Sequence, residues 1–317
     1  MNETAQEEIY IDPQIALILR ETAEADLPAL SNLPIEAARA QVARGNLVWN
    51  RDPPELPSVT NLTMPGPAGP IALRHYRPGD AALLPLVIYF HGGGWAVCSL
   101  DTHDRLMRLL ALDSKAALIG VNYRLAPEHP FPAPLDDCVA AVRWIRSEAR
   151  SLGVDPDRIV LAGDSAGANL ALASLLRLRD EGDPKVQGGA LFYGCYWWRF
   201  DTPAHQRFGD GSWRLGTAEM RWFWRMYVGE GPPDDPLAEP VNADLRGLPP
   251  LFLTAATLDP LYDDTMELDR RLETAGAAHR LAVYPGLIHG FMQMSAPCEA
   301  ARDAIVEAGQ AIRRMLA

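Results

Sequence analysis

From about residue 84 the chain alternates between short apolar runs and longer stretches with apolar residues at helical spacing. The runs 84–90, 116–122, 158–162, 186–193, 251–257 and 280–284 are almost uninterrupted in hydrophobic character, which predicts buried strands. Between and after them, 103–113, 134–151, 168–179, 262–275 and 298–316 read as helices. Leu135, Cys138, Val139, Val142, Ile145 and Ala149 fall on one face of the second of these. Ile305, Ala308, Gly309, Ile312 and Leu316 mark the buried stripe of the last. Such alternation predicts an α/β protein with one mostly parallel central sheet and helices on both faces.

Upstream, 13–21 and 34–44 read as helices opened by Pro13 and Pro34, a residue favoured in the first helical turn. Segments 59–64 and 71–77 predict an antiparallel pair joined by the Pro/Gly-rich turn 65–70. Asp155-Pro156-Asp157 reads as a turn into the strand 158–162. Residues 195–236 break the alternation. They hold Trp197, Trp198, Trp213, Trp222 and Trp224 with Phe200, Phe208, Phe223 and Tyr227. Most of these aromatics are expected to supply buried area, with one or two tryptophans lining a pocket.

The strand at 158–162 runs into Gly163-Asp164-Ser165-Ala166-Gly167, and a helix follows. Strand, Gly-x-Ser-x-Gly, helix is the arrangement that exposes a nucleophilic serine on a sharp turn at the top of a sheet. Side chains at 163 and 167 are expected to collide there, which calls for glycine at both. A second apolar strand, 84–90, leads directly into His91-Gly92-Gly93-Gly94-Trp95. Bare glycine N–H groups can approach a ligand closely, and acyl transfer needs such donors where a carbonyl oxygen becomes negative. A third element is chain order, serine then acid then histidine. Of the seven histidines, His279 and His289 lie far enough downstream. His279 begins a strand pattern, whereas His289 sits in what reads as a loop after that strand, where chemistry is commonly placed. Asp259, just past the strand 251–257, is favoured as the acid. Asp263 and Asp264 are rivals that fall where the next helix begins, so charge and capping at its N-terminus is their alternative role.

These pieces resemble the hormone-sensitive-lipase-like esterases of the α/β-hydrolase superfamily. The likeness rests on His91-Gly92-Gly93-Gly94, the Gly163–Gly167 motif, Asp259-Pro260-Leu261-Tyr262-Asp263 and His289-Gly290-Phe291. It extends to Tyr123-Arg124-Leu125-Ala126-Pro127-Glu128-His129-Pro130-Phe131-Pro132-Ala133. The resemblance implies an α/β-hydrolase fold and a serine carboxylesterase acting through an acyl-enzyme. Ser165 would be the nucleophile, His289 the base and Asp259 its orienter. Gly92, Gly93 and Ala166 would be the oxyanion donors. His91 would be structural, and Arg124 and Glu128 would hold loop geometry. The family also implies a cap formed by 1–45 and 195–236 over a catalytic domain of 46–194 and 237–317, and leaves a homodimer open. Two departures stand out. Ala168 replaces a second glycine after the elbow, and Gly194-Cys195-Tyr196-Trp197-Trp198 replaces a proline-containing turn, which bears on the acyl pocket. Neither a metal nor a cofactor is implied.

Composition narrows the rest. The 317 residues are 48% hydrophobic, ample for a large core, and the formal charge is −12, which disfavours a nucleic-acid partner. Cys98, Cys138, Cys195 and Cys298 show neither CxxC nor zinc-ligand spacing. Residues 1–20 are acidic and broken by Asp12 and Pro13, unlike a secretory signal. No apolar run approaches the roughly 18 residues that span a bilayer. A soluble cytoplasmic enzyme for small esters is expected, with acyl chains of up to roughly eight carbons. An amidase or lactonase with the same triad, and a non-catalytic binding protein on this fold, are the alternatives.

Overall fold

The computed structural model describes residues 9–183 and 185–317. Among the described residues, eight strands form one sheet in the order β1-β2-β4-β3-β5-β6-β7-β8. β1 (Ser58–Gly66) and β2 (Gly69–Arg77) make the expected hairpin, and β2 continues antiparallel onto β4 (Ala117–Asn122). From β4 onward, β3 (Leu84–Phe90), β5 (Val154–Asp164), β6 (Gly188–Phe192), β7 (Leu251–Leu258) and β8 (His279–Ile288) pair in parallel.

The central strands are apolar on both sides because both sides are covered. Leu86, Ile88 and Phe90 of β3 point into a core shared with α4 (Ala133–Ser147), α5 (Ala166–Asp180) and α8 (Tyr262–Ala275). Val87 and Tyr89 of the same strand point into the opposite core, shared with α3 (Asp104–Ser114) and α9 (Glu299–Met315). α1 (Pro13–Glu24) buries Ile15 and Ile18 in that second core, its N-terminus capped by the Asp12 carboxylate accepting from Gln14 N–H at 2.9 Å. α2 is Ile35–Asn46, and the interruption holds two helices, α6 (Pro203–Phe208) and α7 (Thr217–Val228).

Two boundaries differ from the sequence reading. The expected turn at 155–157 lies inside β5, whose first residue Val154 pairs with Leu84 before the register shifts between Leu84 and Leu86. A Pro at a strand irregularity lacks only a bond the ladder has already lost. The expected loop before His289 is strand as well: β8 continues to Ile288, which pairs with Leu258 after a register shift past Ala256. Gly286, at φ +75°, and Pro285 disguised that extension as a loop.

α9 lies against α3 where Gly309 leaves no side chain. A Cβ there would stand 2.5 Å from Asp113 Cβ. Gly309→Ala should lower unfolding free energy by ~1–3 kcal/mol through overpacking, despite the better helix propensity of Ala. Urea denaturation at equal m-value reads this out, and unchanged or increased stability would contradict it.

Candidate active site

The sequence-predicted residues emerge at the carboxyl ends of parallel strands, where an open α/β sheet leaves a crevice for ligands. Ser165 follows β5 and holds φ 54°, ψ −120°. That left-handed conformation is strained for a residue with a side chain. It is fixed by Ser165 N–H donating to Phe192 O at 2.8 Å and by glycine on either side. A Cβ on Gly163 would lie 2.4 Å from Gly167 C, and one on Gly167 would lie 2.0 Å from Phe90 O. The clash is therefore with backbone, partly that of β3, rather than between two side chains as the sequence suggested. Ala168 is fully buried in the α4–α5 core, so the family's usual second glycine is not needed for this contact.

His289 directly follows β8, and Gly290 at φ 74° turns the chain away. Its Nδ1 lies 2.7 Å from Asp259 Oδ2 and its Nε2 lies 2.9 Å from Ser165 Oγ. A carboxylate only accepts, so Nδ1 carries the proton and Nε2 is left to accept from the serine hydroxyl. Asp259 is 1% exposed, and its Oδ1 accepts from Leu261 N–H at 2.8 Å. The structure brings Ser165, His289 and Asp259 into one hydrogen-bonded row. It keeps His279 away, at the far end of β8, beside Ala277 O and Asp269.

The rival acids have other partners. Asp263 accepts from Ala204 N–H at 2.8 Å, fastening α6. Asp264 is buried and accepts from Tyr196 and Trp197 N–H at 2.9 and 3.0 Å. Burial pushes its carboxyl well above the usual range. It shapes the aromatic turn that replaces the family's proline turn, and does not cap α8.

The glycine loop needs one correction. Gly92 N–H donates to Asp164 Oδ1 at 2.9 Å, so it is already engaged. Gly93 and Gly94, at φ 108° and 55°, line the cavity with Ser165, and neither N–H has an acceptor among the described residues. The sequence could not separate three consecutive glycines. The buried Asp164 next to Ser165 was the missing signal.

Asp164 also accepts from Tyr89 O–H at 2.7 Å and faces His103 Nε2 at 3.3 Å. Burial alone would raise its pKa, but the attraction and hydrogen bond of His103, with those of Tyr89 and Gly92, hold it below the ordinary carboxylate value. His91 stacks on Tyr123 at 4.5 Å, and burial drives its pKa down to about 4, so it is a neutral structural ring. Arg124 grips Asp137 through Nε and Nη2 at 2.8 Å each. Glu128 pairs with Arg39 of α2, which also donates to Ala96 O and Ala126 O.

The cavity above Ser165 is small, about 140 Å³. Leu30, Val42 and Asn46 from the N-terminal segment line it with Arg214, Leu215, Glu219, Met220 and Phe223 from the interruption. The expectation of a tryptophan wall fails. Trp224 packs on Trp95 at 4.6 Å in the interior, and the aromatic at the cavity is Phe223, whose ring a Cβ on Gly94 would strike at 2.2 Å. Cys98 lines the cavity, but burial pushes its thiol up to about 12, which removes it as a nucleophile. Among the described residues no His/Cys/Asp/Glu group of three is arranged to hold a metal ion, and no helix is long and apolar enough to cross a membrane.

A family profile described as an alpha/beta hydrolase fold matches residues 87–293. The chain is 38% identical over 269 residues to the esterase LipI of Mycobacterium tuberculosis, covering 83% of each. It is 35% identical to an ethyl acetate hydrolase of Pseudomonas putida, over 96% of this chain and 99% of that one. A solved hyperthermophilic esterase from the archaeon Pyrobaculum calidifontis superposes with a TM-score of 0.93 at 34% identity, over 97% of this chain and 99% of that one.

Asp164 links the serine turn to the glycine loop, so its charge is expected to matter for stability. Its native pKa is depressed, so its contribution is present above the unfolded carboxylate value of about 3.9 and is lost as pH falls through the lower native one. Asp164→Asn should cost at least ~1.5–3 kcal/mol at pH 7, with the gap to wild type narrowing below about pH 4. Urea titrations at pH 7 and pH 3.5 check this, and a pH-independent gap would contradict it.

Proposed function

Because the chain belongs to the hormone-sensitive-lipase-like esterases of the α/β-hydrolase superfamily and is a serine carboxylesterase, we propose that Ser165, His289 and Asp259 are its catalytic triad. The observation that carries this is the continuous row from Asp259 Oδ2 through both nitrogens of His289 to Ser165 Oγ. His289 Nε2 takes the hydroxyl proton as Ser165 Oγ attacks the ester carbonyl. Asp259 fixes the ring's tautomer and stabilises its cationic form. The N–H groups of Gly93, Gly94 and Ala166 receive the oxyanion, each such donor typically supplying about 3–4 kcal/mol of transition-state stabilisation. The positive end of α5 points at the same place. The imidazolium then protonates the departing alcohol. Water, deprotonated by His289, attacks the acyl-enzyme and releases the acid and free serine.

The N-terminal segment and the 195–236 interruption act as a cap, since both supply walls of the cavity over Ser165. A cavity of about 140 Å³ falls below the range typical of drug-sized ligands, which favours short acyl chains among the short- to medium-chain esters. The sequence reading's limit of roughly eight carbons is thus an upper bound.

The test is a kcat/KM series over acyl length with three proteins. Wild type should prefer short chains and fall off beyond them. Ser165→Ala should lose about 10⁶-fold in kcat, and Asp259→Asn about 10⁴-fold. Residual activity of Ser165→Ala within tenfold of wild type would overturn the nucleophile, and equal kcat/KM on long-chain triglyceride would overturn the chain-length reading.

A further inference from the structure

One side chain in the cavity has no part in the chemistry above. Arg214 lines the same space as Ser165, Gly93, Gly94 and His289. Its Nη1 is sealed from solvent and has no hydrogen-bond partner among the described residues. No carboxylate among them lies within ion-pair distance of the guanidinium, although most other arginines of the chain have one: Arg39, Arg74, Arg108, Arg124, Arg177 and Arg302 are examples. The acid nearest in character, Glu219, is turned to backbone, accepting from Leu30 N–H at 3.3 Å and Gly216 N–H at 3.4 Å. One aromatic neighbour, Trp49, sits with its ring centre 5.5 Å from the guanidinium carbon.

The position is also built. Arg214 holds φ 77°, a left-handed backbone uncommon for a long side chain. The loop that imposes it is closed by the bridge between Asp210 and Gly216 and by Arg214 N–H donating to Gly211 O at 3.2 Å. Strain of this kind persists where the surroundings over-determine it, commonly at ligand sites. Burial lowers the Arg214 pKa, offset by Cys98, Tyr193 and Glu219. Arginine nevertheless stays charged in proteins. A guanidinium nitrogen sealed from water without a hydrogen-bond partner is costly, and a planar fork of donors fits a carboxylate in two-point contact.

Resting on the esterase reading of this site, we infer that Arg214 is a specificity residue that binds a carboxylate carried by the substrate, so that the preferred esters are short and anionic, such as half-esters of dicarboxylic acids or acyl esters of hydroxy acids. The apolar part of the lining, Leu30, Val42, Leu215, Met220 and Phe223, would hold the chain between the ester and that carboxylate, while the Glu219 carboxyl on the same wall is taken up by backbone N–H groups. The net charge of −12 opposes approach of an anion at long range, but beyond about 8 Å it is screened at physiological salt, so the local cation decides.

The experiment compares pairs that differ by a carboxylate for a methyl group: monoethyl glutarate against ethyl pentanoate for the acyl side, and 4-acetoxybutanoate against butyl acetate for the alcohol side. The readout is the anionic-to-neutral ratio of kcat/KM in wild type, Arg214→Lys and Arg214→Leu. In at least one pair, Arg214→Leu should lower the ratio about 10- to 100-fold, mainly through KM, as expected for a lost charged hydrogen bond, with Arg214→Lys in between. A ratio equal in wild type and Arg214→Leu for both pairs would overturn the inference while leaving the esterase intact. Failure of wild type on all four esters would instead overturn the underlying reading. Should Arg214→Leu not fold, competitive inhibition of wild type decides: glutaramate should bind at least tenfold tighter than pentanamide, and equal inhibition would count against the inference.

Discussion

Backbone-to-backbone contact between the β5–α5 turn and the end of β3 is the constraint on which the site depends. Gly167 leaves room for Phe90 O, and Gly163 leaves room for Gly167 itself. Because β3 then runs straight into His91–Gly94, the same contact sets where the serine stands and where the glycine N–H groups stand relative to it. A single methyl group at 167 would push apart two elements whose separation decides whether an oxyanion can be reached. Catalysis by prearranged dipoles requires that the dipoles need not move when charge develops, and a contact between main chains is the least deformable way to hold them.

Asp164 extends that constraint into electrostatics. Its carboxylate, buried beside Ser165, accepts from Gly92 and Tyr89, faces His103 Nε2 at 3.3 Å, and so ties β5, the glycine loop and the segment before α3 into one unit. With Gly92 engaged, Gly93 and Gly94 are the loop glycines that line the cavity. On the other side of Ser165, Asp259 performs a comparable service for His289. The two buried carboxylates therefore divide the work: one holds the glycine loop, the other His289.

Much of this was legible in the residues because it follows from local rules. Apolar runs marked β3, β5 and β7 because those strands are covered on both faces. Ser165 and its glycines were visible because the turn tolerates little else. His289 and Asp259 could be chosen by chain order and by position after a strand, although Pro285 and Gly286 concealed that β8 runs right up to the histidine. The rest depended on non-local packing. Three adjacent glycines are indistinguishable until a carboxylate from another strand claims one. Five tryptophans in the interruption suggested a pocket wall, yet which aromatic faces the serine depends on how α7 rolls over Gly94, and Phe223 holds that place. Arg214 carried no sequence signal at all, since an arginine is unusual only when nothing pairs with it.

The most direct measurement is a crystal structure of the enzyme after reaction with a short alkyl phosphonate, which mimics the tetrahedral intermediate. Phosphorus should be bonded to Ser165 Oγ, with its oxygen about 2.7–3.1 Å from the N–H groups of Gly93, Gly94 and Ala166, His289 Nε2 beside the ester oxygen, and Gly92 N–H still on Asp164. An adduct whose oxygen is held by Gly92 N–H, or a phosphorus attached elsewhere than residue 165, would contradict the account.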